Sequence, residues 1–157
     1  MLANLDPLGG ARMVDVTPRE PTHRRALARC RVSMLPETTT KVANNAITKG
    51  DVLAAARIAG IQAAKRTHEL IPFCHPLGIE NCQVEIEHPR GNEIIVRCTV
   101  SVHHRTGVEM EALTGASVAA LTIYDMCKAL SHDIQVRHVR LLAKSGGRRA
   151  FARAVRS

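Results

Sequence analysis

Apolar positions along the chain recur with two different periods, and the switches between them divide it into elements. In "ARCRVSM", Ala28, Cys30, Val32 and Met34 share one parity while Arg29, Arg31 and Ser33 share the other. That is the period of a half-buried strand. "KGDVLAAARIAGIQAAKRTHEL" follows as a helix, with Asp51 as N-cap and Pro72 marking its end. Its small residues, Gly60 among them, suit close packing against another backbone. "CQVEIEH" and "EIIVRCTVSVHH" alternate again and are separated by "PRGN", a hairpin turn. "EMEALTGASVAALTIYDMCKAL" is a second helix, apolar around much of its circumference and therefore expected to be deeply packed. "DIQVRHVRLLA" reads as a last strand whose parity slips between Val136 and Val139, which predicts a bulge.

The resulting order, β-α-β-β-α-β, predicts an α+β domain of the ferredoxin-like, split βαβ kind: an antiparallel sheet with two helices on one face. Many unrelated activities use that fold, so it names none. At 157 residues the chain is expected to form one domain with a real core. No apolar run approaches the roughly 20 residues that span a bilayer. The N-terminus has neither a basic n-region nor an apolar h-region, so no secretion signal is expected. Five cysteines without a Cys-x-x-Cys spacing point to a reducing cytoplasm, not to a disulfide framework or structural zinc.

A formal charge of +8 favours an anionic partner. A basic nucleic-acid-binding module on the same fold is one reading. It requires stacking aromatics on the central strands, and Phe73, Tyr124 and Phe151 are the only aromatics of that kind. A small polyphosphate fits the charge equally well.

Several constellations are candidates for chemistry, each with a plainer structural reading beside it. Lys49 and Gly50 precede a helix N-terminus, where free N–H groups attract anions, although a lysine before a capped helix is common. Asp125 and Lys128, three apart, share one helical face. Their mostly apolar flanks predict a largely buried pair, which marks either a working site or a structural ion pair. Glu109 and Glu111 open the same helix, where the dipole alone accounts for carboxylates. Ser145–Gly147, flanked by Lys144, Arg148 and Arg149, reads either as a phosphate nest or as a flexible basic tail. His103 and His104 lie on opposite faces of a strand and cannot act together. Cys74 and His75 are adjacent and point apart, so they form neither a nucleophile–base pair nor a metal centre. His75 precedes Pro76, which restrains it to extended geometry and suits a rigid loop that presents its ring.

Taken together, "MVDVT", "KGDVLAAARIAGIQAAKRTHELIPFCHPL", "GVEMEALTGASVAALTIYDMCKAL" and "VRLLAKSGG" resemble the MoaC family, the cyclic pyranopterin monophosphate synthases of molybdenum cofactor biosynthesis. The resemblance spans residues 13–147, leaving 1–12 as a flexible N-terminal tail and 148–157 as a basic C-terminal tail. It implies a lyase that converts 3′,8-cyclo-7,8-dihydroguanosine 5′-triphosphate to cyclic pyranopterin monophosphate with release of pyrophosphate. It implies a homohexamer, a trimer of dimers, with active sites at subunit interfaces and with no nucleic acid or membrane as partner. By motif it assigns Asp125 as catalytic acid/base and Lys49 and Lys128 as essential lysines. Phe73, Cys74, His75, Met110 and Glu111 fall at substrate-lining positions, and Glu109, Arg24 and Lys144 at pocket positions, with Arg25 a rival for the place of Arg24. No permanently bound cofactor is implied; magnesium accompanying the triphosphate is a reasonable helper. If Lys49 and Lys128 reach one site from different chains, their single mutants should complement each other in mixed dimers.

Overall fold

The computed structural model describes residues 4–153. The elements run β1 (Thr22–Ser33), α1 (Pro36–Ala43), α2 (Val52–Lys65), α3 (Thr67–Leu70), β2 (Asn81–Ile86), β3 (Glu93–His104), α4 (Glu109–Cys127), β4 (Gln135–Ser145) and β5 (Phe151–Ala152). The five strands lie in the order β2-β3-β1-β4-β5, and every neighbouring pair is antiparallel. The first four strands and the helices α2 and α4 make up the expected ferredoxin-like arrangement.

Strand parity decides what lies under the helices. Ala26, Ala28, Cys30 and Val32 of β1 and Ile94, Val96, Cys98, Val100 and Val102 of β3 are all buried. They form one core with Ala112, Ala116, Ala119, Ala120 and Ile123 of α4. The opposite parity of β1 carries Arg25, Arg29 and Arg31 to the other face. Neither β1 nor β3 bears a Phe, Tyr or Trp, so the central strands lack the stacking platform that the nucleic-acid reading required.

The parity slip in the last strand is a bulge. Arg29 pairs with Arg140 and Arg31 with Arg137, so Cys30 faces two residues, His138 and Val139. His138 takes up the extra length in the left-handed region, at φ 56°. A second irregularity between Leu27 and Ala28 leaves Leu142 unpaired in the register.

Four boundaries depart from the sequence expectation. β1 begins at Thr22, before the alternating stretch becomes apolar. The helix expected to run to Leu70 breaks at Arg66 into α2 and the single turn α3, where the Thr67 hydroxyl donates to the Ala63 and Ala64 carbonyls. α1 was not foreseen, because "PETTTKVA" has three β-branched threonines in a row, poor helix formers. It forms with Pro36 at its start, Glu37 in its first turn, and Thr38, Thr39 and Val42 buried. β5 was not foreseen either; two residues of the basic tail pair with Ala143 and Lys144. Within the expected N-terminal tail, the Asp6 carboxylate accepts from the Leu8 and Gly10 amides and closes a turn bridged by Leu5 and Ala11. Residues 1–3 and 154–157 of the two expected tails lie outside the described residues.

The two main helices touch at glycine. A Cβ on Gly60 would sit 2.9 Å from the Gly115 carbonyl oxygen, and one on Gly115 would sit 2.6 Å from the Cys98 sulfur and 3.1 Å from the Gly60 carbonyl oxygen. Neither backbone has room to retreat without lifting its helix from the sheet. Gly115→Ala should therefore cost about 1–3 kcal/mol despite alanine's better helix propensity. The check is the urea midpoint, which should fall for Gly115→Ala and fall further for Gly115→Val.

Candidate functional site

The residues singled out by the sequence gather in two places, at opposite ends of α4. At its C-terminal end Lys49, Asp125 and Lys128 converge. Lys128 Nζ lies 2.8 Å from Asp125 Oδ1, and Lys49 Nζ lies 3.5 Å from Oδ2 and donates to the Asp125 backbone carbonyl at 3.2 Å. Lys49 is brought there by the turn before α2, which Gly50 makes at φ 122° and which Asp51 caps by accepting from the Ala54 amide at 3.0 Å. Such a cap stabilises a helix by about 1 kcal/mol.

Expected burial of this pair is not found. The side chains of Asp125, Lys128 and Lys49 are 58%, 56% and 49% exposed. A helix apolar on nearly all sides offers no periodicity to say which side faces out, and here Leu121 and Asp125 are on that side. The hydrogen bond from Lys128, then the charges of Lys128 and Lys49, hold the Asp125 carboxyl below its ordinary range. The same contact with Asp125 raises the Lys128 ammonium. Lys49 and Lys128 thus meet one carboxylate within one chain.

At the N-terminal end of α4, a cavity of about 400 Å³ is lined by Phe73, Cys74, His75, Glu109, Met110 and Glu111 among others. The loop after α3 supplies the first three and the first helical turn the rest. Glu111 is 3% exposed, yet its Oε2 has no hydrogen-bond partner among the described residues. Its Oε1 accepts from the Cys74 thiol at 3.4 Å. Burial, foremost, raises the Glu111 carboxyl above its ordinary value. Burial, followed by the negative charge of Glu111, pushes the Cys74 thiol up to about 12. A thiol so placed is not a nucleophile at neutral pH, in keeping with the reading of the Cys-His pair. The His75 ring is fixed as expected, with Nε2 donating to the Val14 carbonyl at 2.8 Å. A carbonyl only accepts, so Nε2 carries a proton.

A second cavity of about 720 Å³ adjoins the first and shares Gly107 and Glu109 with it. Arg24, Lys144, Gly146 and Gly147 line it, with Arg19, Arg148 and Arg149 adding charge. Lys144 Nζ lies 3.1 Å from Glu109 Oε1. Arg24, not Arg25, belongs here, because its parity in β1 is that of Ala26 and Ala28. Arg24 Nη2 donates to the Arg105 carbonyl at 3.3 Å, and its Nε is buried without a partner. Gly146 and Gly147 lie at φ 86° and 70°, and a Cβ on either would collide with the His23 carbonyl or the Arg24 guanidinium. The Ser-Gly-Gly segment is thus the seat of Arg24, built of residues that tolerate the left-handed region. Arg19 and Thr22 went unrecognised in the sequence, where "TPREPT" shows no motif. Among the described residues no three His, Cys, Asp or Glu side chains converge as metal ligands.

The two ends are separate within one chain. From Glu111 to Asp125 is fourteen residues of continuous helix, about 21 Å.

A model of the MoaC family matches residues 13–147. The cyclic pyranopterin monophosphate synthase of Chloroflexus aurantiacus is 53% identical over 148 residues, which are 94% of this chain and 91% of that protein. Its counterpart in Xanthomonas campestris pv. campestris is 50% identical over 155 residues, 98% of this chain and 94% of the relative. The protein of the same name from Chloroflexus aggregans is 53% identical over 148 residues, covering 94% and 90%.

Glu111 provides a test of this geometry that is independent of turnover. Its folded pKa lies above the ordinary value of 4.5, so the fold favours the protonated acid. Stability from this group is full below the unfolded pKa, declines as pH rises through the folded pKa, and is then constant. The neutral Glu111→Gln should remove that decline. Its melting temperature should exceed that of the wild type at pH 7 and converge on it near pH 4. A variant less stable than wild type at pH 7 would contradict a strained, buried carboxylate.

Proposed function

The chain belongs to the MoaC family, and from that premise we propose how its two clusters share one reaction. Its activity is that of a lyase of molybdenum cofactor biosynthesis, making cyclic pyranopterin monophosphate from 3′,8-cyclo-7,8-dihydroguanosine 5′-triphosphate with loss of pyrophosphate. What carries the proposal is the distance between the ends of α4. A substrate ring cannot touch both ends of one helix, but it can touch opposite ends of two.

A twofold axis crossing α4 near its middle would run two copies of the helix antiparallel and lay the Glu109–Glu111 end of one against the Asp125 end of the other. The exposed Leu121 and Met110 on the outer side of α4 give such a contact apolar area. Each dimer would hold two identical sites, and three dimers would complete the hexamer that the family resemblance implies.

The contact would also change the chemistry of the exposed cluster. Covering Asp125 and Lys128 removes water from both, which raises the carboxyl and lowers the ammonium toward the range useful for proton transfer. In this reading Asp125 takes protons during ring opening and rebuilding, with Lys128 and Lys49 beside it. Glu111, its carboxyl raised by burial, faces it from the other chain as a second proton-transfer group, and the His75, Phe73 and Met110 side chains orient the base. The cationic cavity of Arg24 and Lys144 receives the triphosphate and stabilises the charge that develops on departing pyrophosphate. Magnesium would ride on the phosphate oxygens, since Glu109 is already paired with Lys144 and no three-ligand protein cage is proposed.

Incubating the protein with the cyclic dihydro-GTP substrate and following oxidised pterin fluorescence tests the activity directly. Asp125→Asn and Lys128→Ala should each lose roughly 10²–10⁴-fold in rate with the fold intact. Near-normal turnover by either would remove the cluster from the mechanism.

The shared site predicts a specific pattern of complementation. Lys128→Ala and His75→Ala, inactive alone, should recover roughly a quarter of wild-type activity after co-refolding in equal amounts, because half the dimers are mixed and each carries one intact site. Lys49→Ala with Lys128→Ala should not recover, because both lesions fall in the same cluster. Recovery by the second pair and not the first would reverse the assignment of clusters to chains. Cys74→Ser, by contrast, should retain substantial activity, as the kinetics of the single variant will show.

A further inference from the structure

On the sheet face turned away from α2 and α4, three arginines stand side by side across adjacent strands. Arg29 of β1 is the register partner of Arg97 in β3 and of Arg140 in β4, and Arg31 is opposite Arg137. Like charges directly opposite in a sheet destabilise it. Two of these arginines are neutralised: Arg97 by Glu87 at 2.7 Å and Arg31 by Glu93 at 2.6 Å. Arg29 is not. It is only 7% exposed, it pairs with no acidic side chain among the described residues, and its Nε is buried without a hydrogen-bond partner. Burial and then the charges of Arg31, Arg97 and Arg140 lower its pKa, while Glu87 opposes them. A guanidinium nonetheless keeps its proton in a protein.

The side chain lines a concavity of about 590 Å³ formed with the β2–β3 hairpin. Arg29, Arg31, Arg90 and Arg97 bring four positive charges to it, against two negative charges from Glu87 and Glu93. Ile95 is the only apolar side chain in the lining, and no Phe, Tyr or Trp lines it. The volume is in the range of small-molecule sites. Planar guanidinium forks match the oxygens of phosphate, and one fork here has a donor with nothing to bind.

We propose that this concavity is a second anion site, which takes a small phosphate-class polyanion such as pyrophosphate with Arg29 as its anchor. It shares no residue with the clusters at the ends of α4 and lies on the opposite face of the sheet. It does not rest on the catalytic reading.

Pyrophosphate is the probe. The background is the full chain carrying Lys128→Ala and Lys144→Ala, which removes two cations of the proposed active site. Titrated calorimetrically at constant ionic strength, pyrophosphate should still bind this background, and adding Arg29→Leu should weaken binding by roughly tenfold or more. Should Arg29→Leu fail to fold, Arg90→Gln on the exposed rim is the second variant and should weaken binding in the same direction. In the otherwise wild-type chain, Arg29→Leu should leave turnover unchanged. No heat beyond that of matched sodium chloride, or binding indifferent to both substitutions, overturns the site.

Discussion

The closeness of α2 to α4 is the constraint on which the other contacts depend. Two glycines, Gly60 and Gly115, let the helix backbones meet and let Gly115 rest on the sulfur of Cys98. A single methyl at either position would force the helices apart or off the sheet. Because α4 sits this low over β1 and β3, its first turn reaches the loop of Cys74 and His75, and its last turn reaches Lys49 ahead of α2. The same approach buries the alanine face of α4, Ala112, Ala116, Ala119 and Ala120, under side chains too small to separate the layers. A jigsaw of small residues leaves little tolerance for added volume.

One straight helix then carries two carboxylates in opposite environments. Glu111 is buried and pushed toward the neutral acid, whereas Asp125 is exposed and held as the anion by two lysines. Titratable groups driven apart by their surroundings make a natural acid and base for chemistry that needs both. Separation along a single helix puts them out of each other's reach within one chain, whereas across the twofold proposed above they would be complementary. The exposed outer side of α4 and the apolar sequence of that helix are two consequences of the same fact, if the helix is covered by sheet on one side and by a copy of itself on the other.

Much of this was legible in the chain. Parity placed the core of β1 and β3, and the slip between Val136 and Val139 located the bulge that His138 absorbs. Parity also settles Arg24 over Arg25, since the residue two before Ala26 must share its face. What escaped was non-local. α1 is held by burial of Thr38, Thr39 and Val42, which no propensity reveals, and β5 exists through two pairings with a strand already formed. Asp125 and Lys128 were expected to be buried because their neighbours are apolar, but periodicity fails on a helix that is apolar all round. The partner of the Cys74 thiol, 37 residues away on Glu111, could not be read from a spacing.

The surplus of positive charge does not form one undivided field. Part of it surrounds Arg24 and Lys144 at the N-terminal end of α4, where Glu109 already offsets one cation and the remainder faces an open cavity. Another part is the arginine row on the far side of the sheet, where two glutamates offset Arg31 and Arg97, and Arg29 is the buried member without an acidic partner among the described residues. Both places combine a buried guanidinium nitrogen lacking a partner with a concavity beside it. A buried donor left unpaired costs the fold its desolvation with nothing returned. Two such donors, on opposite faces and each in a cationic hollow, mean that the same physical demand for an anion arises twice. A single diffuse attraction to polyanions would need neither burial nor concavity. The geometry therefore favours discrete small anions over a long charged polymer as the counterpart of this chain's excess charge.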